Sequence, residues 1–219
     1  MIDAPRRLLA EFIGTSFLLA GVIGSGIMAE RLTNDVGLQL VANTGATVGV
    51  LYVIIATFGP VSGAHFNPAV TLSDAALGTR PWSDVAPYIA AQVAGGAVGA
   101  VIANVMFELD AVNLSGTSRG GGGQYLGEIV ATFGLVFAVF ALVRSGREQL
   151  VAGVVAAYIG GAYWFTSSTS FANPAVTAAR TLSDTFAGID PVNAPMFVMM
   201  QLIGAGLAIA AVRVIYPDV

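Results

Sequence analysis

Cysteine and lysine are absent from this chain of 219 residues, histidine occurs once, and only 10% of the residues are charged. Each shortage removes a class of function. Without cysteine there is no disulfide framework, no thiolate nucleophile and no Cys-based metal site. A lone His65 makes a poor metal site and has no obvious Ser/Asp partners for catalysis. All nine basic residues are Arg, the net charge is −4, and no basic cluster points to nucleic acid. A soluble domain usually carries about 25% charged residues, so this chain cannot cover a soluble surface of its size. What it has instead is 56% hydrophobic residues and a mean hydropathy of +0.79. The class is integral membrane.

Six stretches are long enough to cross about 30 Å of hydrocarbon, near 8–29, 38–58, 84–107, 124–143, 150–167 and 193–215. The first follows Arg6-Arg7 and runs to Ala29, which reads as a span rather than a cleavable signal. Two further segments, 67–77 and 173–183, are about ten residues long and reach only about half the membrane at 1.5 Å per residue. Short interrupted segments at corresponding places in two halves point to a midplane site. Polar separators lie at 30–37, 110–123 and 144–149. The stretch 110–123, with Ser115-Gly116-Thr117-Ser118 and a glycine run ending at Gly123, reads as a mobile link between halves 1–109 and 124–219.

The halves repeat each other. Asn67-Pro68-Ala69-Val70-Thr71 returns as Asn173-Pro174-Ala175-Val176-Thr177, and Leu9 to Thr15 resembles Leu126 to Thr132. With three spans per half, the second half must insert upside down. The expected fold is all-α and membrane-embedded: six transmembrane helices plus two re-entrant half-helices in an inverted repeat forming one channel domain. Arg6, Arg7, Arg80, Arg144, Arg147 and Arg213 fall on one side, and Arg31, Arg119 and Arg180 on the other. Six against three predicts that both termini are cytoplasmic.

An Asn before a Pro reads as a helix start, since Asn caps exposed N–H groups and Pro suits the first helical position. Two such starts meeting at the midplane bring two positive helix ends together, which repels cations and protons. The side-chain amides of Asn67 and Asn173 can then donate to a passing solute. The bland alternative, two coincidental caps, is disfavoured by the repeat. The segments before each motif are non-helical at membrane depth, which is tolerated only in buried or cavity-lining backbone. Carbonyls of Gly63, Ala64, His65, Phe66, Ser168 and Thr169 are the expected pore-lining acceptors. His65 reads as a loop brace rather than a gate. Glu11 and Glu128 lie inside spans, where a carboxylate is functional by default; they brace the re-entrant loops or, in the competing reading, relay protons. The glycine- and alanine-rich faces after Gln92 and Gln201 read as close helix packing.

These motifs resemble the aquaporin, or major intrinsic protein, family over essentially the whole chain. Ala10-Glu11-Phe12-Ile13-Gly14-Thr15, Ser62 to Thr71, Glu128 and the second Asn-Pro-Ala carry the likeness. The resemblance implies one pore per subunit, a homotetramer in the lipid bilayer, and passive transport with no cofactor or metal. It also implies a second selectivity filter of four residues, here Thr47, Gly161 (or Ala162), Ser170 and Val176. The family places an Arg where this chain has Val176. All four residues are small, so the expected opening is wide and mildly polar, suited to glycerol-like polyols, water and other neutral solutes. Val176 together with Tyr163 to Phe171 resembles an aquaglyceroporin-like bacterial inner-membrane subgroup associated with arsenic resistance, which implies undissociated arsenite or methylated arsenicals. Arg180, one turn after Val176, either restores charge at the mouth or braces an outer loop. The rival function is a proton- or ion-coupled transporter using Glu11 and Glu128; an intramembrane enzyme finds no constellation of catalytic groups.

Overall fold

The computed structural model describes residues 3–217, and every regular element among them is helical. The order is α1 (Ala4–Leu32), α2 (Val36–Ser62), α3 (Pro68–Ala76), α4 (Trp82–Met106), α5 (Gly122–Arg144), α6 (Val151–Phe165), α7 (Pro174–Arg180) and α8 (Ala194–Ile215). Five of these, all but α3, α6 and α7, are long and apolar enough to cross a membrane. The stretch expected near 150–167 forms α6, whose 15 residues are preceded by a 3-10 turn over Glu148–Leu150. At 1.5 Å per residue α6 is about 22 Å long, so the turn supplies the rest of the crossing.

Local chemistry sets the helix ends. Asp3 and Asp35 cap α1 and α2, their carboxylates accepting from the backbone N–H groups of Arg6 and Leu38. α2 continues through Pro60, beyond the expected limit at 58, and stops where Gly63 adopts a left-handed φ of 90°. α7 ends at Arg180, short of the expected 183, and the carbonyls just beyond its end are met by another segment. The Thr181 and Leu182 oxygens accept from the backbone N–H groups of Ser115 and Asn113 at 3.0 and 3.1 Å.

Those bonds also correct the reading of 110–123 as a mobile link. Thr117 accepts from the Asp190 N–H at 2.8 Å, and the Asp184 carboxylate accepts from the Gly116 N–H at 2.9 Å. Arg119 donates from Nε to the Gly188 carbonyl at 2.7 Å. The segment is strapped onto the loop that follows α7.

Two pairs, α1 with α4 and α5 with α8, pack closely. A Cβ on Gly95 would lie 2.3 Å from the Phe12 carbonyl oxygen, and one on Gly99 would lie 2.2 Å from that of Ser16. On the other side, a Cβ on Gly204 would lie 2.4 Å from the Ile129 oxygen. Close approach of this kind replaces the hydrophobic effect, which does not drive helix association in lipid. Gly99→Val is expected to push α4 off α1 at a cost of at least about 3 kcal/mol, since backbone cannot yield as a side chain can. Size-exclusion chromatography in mild detergent checks it: a monodisperse peak at normal yield would contradict the packing argument.

Candidate functional site

The half-helices α3 and α7 start side by side and run in opposite directions. The end of α3 lies by the chain termini, where Arg213 of α8 donates to the Ala76 carbonyl at 2.6 Å. The end of α7 lies at the opposite mouth, with Arg31, Arg119 and the loop after Arg180. At their starts each Asn divides its amide between two tasks. The Asn67 Oδ1 accepts from Ala69 N–H at 2.9 Å, and the Asn173 Oδ1 accepts from Ala175 N–H at 2.9 Å and Val176 N–H at 3.2 Å. With the oxygens committed to capping, the nitrogens must face the other way. Asn67 Nδ2 donates to the Ala172 carbonyl at 2.8 Å and Asn173 Nδ2 to the Phe66 carbonyl at 2.7 Å. Each Nδ2 carries two hydrogens, so one ties the opposite loop and one remains for a solute.

The loops that deliver these motifs hold several non-glycine residues in the left-handed region: Ala64, Phe66, Thr169, Ser170 and Ala172. Such backbone persists only where its surroundings over-determine it. Glu11 and Glu128, both fully buried, supply that determination. Glu11 accepts from Ser62 Oγ at 2.6 Å, His65 N–H at 3.0 Å, Phe66 N–H at 2.7 Å and Gln92 Nε2 at 2.8 Å. Glu128 accepts from Phe171 N–H and Ala172 N–H, both at 2.9 Å, and from Gln201 Nε2 at 2.6 Å. Each carboxylate therefore holds the loop of its own half.

Gln92 and Gln201, at the head of the closely packing faces, belong to this machinery. Besides the carboxylates, their amides donate to Thr71 and Thr177 Oγ1 at 2.9 and 2.8 Å. The Thr that closes each five-residue repeat is thus the foot of a Glu–Gln–Thr chain. The available signal was a single glutamine in the third and in the sixth apolar span.

A cavity of about 690 Å³ runs past both motifs, with Asp74 and Arg80 near one end and Phe171 and Arg180 near the other. Gly63, Ala64, His65, Phe66, Asn67 and Asn173 line it, as do the paired Val70 and Val176 of the two repeats. Pro68, Ala69, Pro174 and Ala175 lie behind the Asn residues; Ala69 and Ala175 are fully buried. In the second loop the expected lining is corrected by two residues. Ser168 and Thr169 stay off the wall, because Ser168 is fully buried and Thr169 closes a turn onto the Thr166 carbonyl; Ser170 and Phe171 line it instead. His65 bonds Thr71 Oγ1 through Nδ1 at 3.0 Å and lies 3.2 Å from Asp74 through Nε2, bracing the loop as expected. Arg80 pairs with Asp74 at 2.9 Å and stacks on Tyr88. Burial, the largest influence, pulls the Arg80 guanidinium down, but Tyr88 and Asp74 together hold it above its ordinary value.

Of the four expected filter residues, Thr47, Ser170 and Val176 line the cavity and Gly161 does not. Gly161 is exposed on the outer surface of α6. Ile159 faces the cavity, and at 3.6 residues per turn a residue two places on is rotated about 200° away. Ala162 is fully buried and off the wall. Tyr163, one turn after Ile159, takes the place, with its hydroxyl 3.1 Å from Thr47 Oγ1.

The family profile described as Major intrinsic protein matches residues 1–172. The chain belongs to the major intrinsic protein family. It is 50% identical over 211 residues to "Aquaglyceroporin AqpS" of Rhizobium meliloti (strain 1021), covering 96% of this chain and 90% of that protein. It is 31% identical over 175 residues to "Glycerol uptake facilitator protein 3" of Lactiplantibacillus plantarum, covering 70% and 71% of the two chains. Among solved structures it superposes on the aquaglyceroporin from Plasmodium falciparum with a TM-score of 0.72, at 17% identity and 98% coverage of both chains. This major intrinsic protein is a multi-pass membrane protein with the aquaporin fold and acts as a passive channel for small neutral solutes. The geometry suits that activity: donors at the midplane, two positive helix ends, and a path between them.

Proposed function

We propose that this channel conducts glycerol-like polyols and water, together with undissociated arsenite or methylated arsenicals, through a filter of Thr47, Tyr163, Ser170 and Val176. The observation that carries the reading is that the four filter side chains are uncharged and two-sided. The Tyr163 ring and Val176 offer apolar edges, while Thr47 and Ser170 offer hydroxyls. A polyol presents carbon on one side and hydroxyls on the other, so it can exchange water for both surfaces without leaving polar groups bare. The likeness to an aquaglyceroporin over 96% of the chain supports the same solute class. Glu11 and Glu128 act as braces: with both oxygens of each carboxylate engaged by loop donors, a proton relay would have to dismantle the loop it depends on. We further place both termini in the cytoplasm, the protein in the bacterial inner membrane as a homotetramer, and the halves 1–109 and 124–219 as inverted repeats about the strap 110–123.

Stopped-flow shrinkage of proteoliposomes with glycerol, urea, arsenite and water tests the solute class. Glycerol flux with low activation energy and no response to a pH gradient is expected; saturable flux that needs the gradient would instead indicate a coupled transporter. For the filter, Tyr163→Ala is expected to speed longer sugar alcohols about tenfold, equivalent to about 1.4 kcal/mol off the barrier. Gly161→Ala, on the outer surface, leaves them unchanged. The reverse pattern would return the filter to Gly161.

A further inference from the structure

The mouth opposite the chain termini holds two guanidinium groups against one ring. The Arg180 and Arg119 guanidinium carbons lie 3.4 and 5.2 Å from the centre of Phe171. Arg119 spends Nε and Nη2 on the Gly188 and Phe186 carbonyls, so it offers field rather than contacts. Arg180 is different. It is only 2% exposed, lines the cavity, and uses Nε on the Ala187 carbonyl. Among the described residues its two terminal amino groups meet no acceptor, and neither arginine is paired with a carboxylate. Ser170, 3% exposed and also lining the cavity, has a buried Oγ with no partner. The buried Glu128 carboxylate acts on both arginines at a distance but is taken up by the loop donors, and buried positive charge with no carboxylate in contact is costly.

We propose that this mouth is a docking site for the planar monoanion of a small carboxylic acid. The two terminal amino groups of Arg180 present the fork that matches a carboxylate, and Ser170 Oγ adds a third donor. Arg119 raises the local potential without occupying the space. The anion stays at the mouth: beyond it the Val176 and Val70 walls would strip its hydration, and a bare charge in an apolar passage is strongly disfavoured. It therefore plugs the path that a neutral solute uses. Docking in this form goes beyond neutral conduction and is readable independently of it.

The probe is sodium lactate, with lactamide as its uncharged counterpart and sodium chloride at equal ionic strength. In purified protein in detergent, lactate raises the apparent unfolding temperature and the two controls do not. In proteoliposomes, lactate lowers glycerol flux roughly twofold at about 10 mM, the millimolar affinity that a few charge-assisted hydrogen bonds support. Arg180→Gln abolishes both effects and Arg180→Lys keeps part of them. Should Arg180→Gln fail to fold for want of its bond to Ala187, the three-way comparison on the unaltered protein decides alone. Lactate acting no more strongly than chloride or lactamide, or acting equally on Arg180→Gln, overturns the proposal. Stabilisation by lactate in a protein that passes no glycerol would keep the docking site and defeat the solute assignment.

Discussion

Glu128→Leu is expected to yield no conducting channel and little folded protein. The substitution keeps the bulk of the side chain but removes the acceptor for Phe171 N–H, Ala172 N–H and Gln201 Nε2. These donors are buried, and each unmet donor costs about 1–3 kcal/mol, so the loss is about 3–9 kcal/mol. Proteins have only about 5–15 kcal/mol to lose. The left-handed conformations of Ser170 and Ala172 would then relax, and Asn173 would leave the midplane. Yield in membranes, thermal unfolding and stopped-flow solute flux measure the outcome together. Normal yield with flux unchanged would show that the carboxylate does not hold the loop, and would reopen a proton-relay role. Glu128→Gln should fall between, since one oxygen remains to accept.

The second large effect is at Val176. Val176→Arg is expected to cut glycerol flux about tenfold or more, about 1.4 kcal/mol on the barrier, while sparing water. The long side chain would enter an aperture already bounded by Tyr163, and its donors would select the smaller solute. A charge about 6 Å from a passing cation at an effective dielectric of about 20 also adds about 3 kcal/mol, roughly a hundredfold in cation exclusion. Arg180 stands one turn further along α7 and lines the same cavity, so part of that exclusion exists already. The measurement pairs glycerol and water shrinkage with a cation-leak assay. Glycerol flux equal to that of the unaltered protein would remove Val176 from the filter.

The half-helix starts were legible because their signal is local. Asn followed by Pro specifies a cap and a first turn whatever surrounds them, and both motifs fold as the sequence implies. Glu11 and Glu128 were legible for a different reason: a carboxylate in an apolar span needs partners, and the nearest polar backbone was the loop of the same half. Tyr163 was not legible. Its place on the wall depends on where α6 ends relative to the second motif, and counting back along the chain cannot register a shift of two residues in a loop. Gln92 and Gln201 were hidden by their neighbours, whose glycines do pack closely as read. The glycines and serines of 110–123 suggest mobility by their own freedom, while the carbonyls that hold the strap come from Thr181 and Leu182, far along the chain.

By itself the sequence determined the membrane class, the doubled half-helix and the neutral residue after the second Asn-Pro-Ala. Hydropathy, capping and the absence of charge are properties of residues and short segments, so they need no fold to be read. Only the tertiary structure decided which α6 residue meets the path, that each Asn amide ties the opposite loop, and that Arg180 lines the cavity with its guanidinium over Phe171. Those facts depend on helix rotation and on contacts across the chain, which are settled when all the buried donors and acceptors are satisfied together.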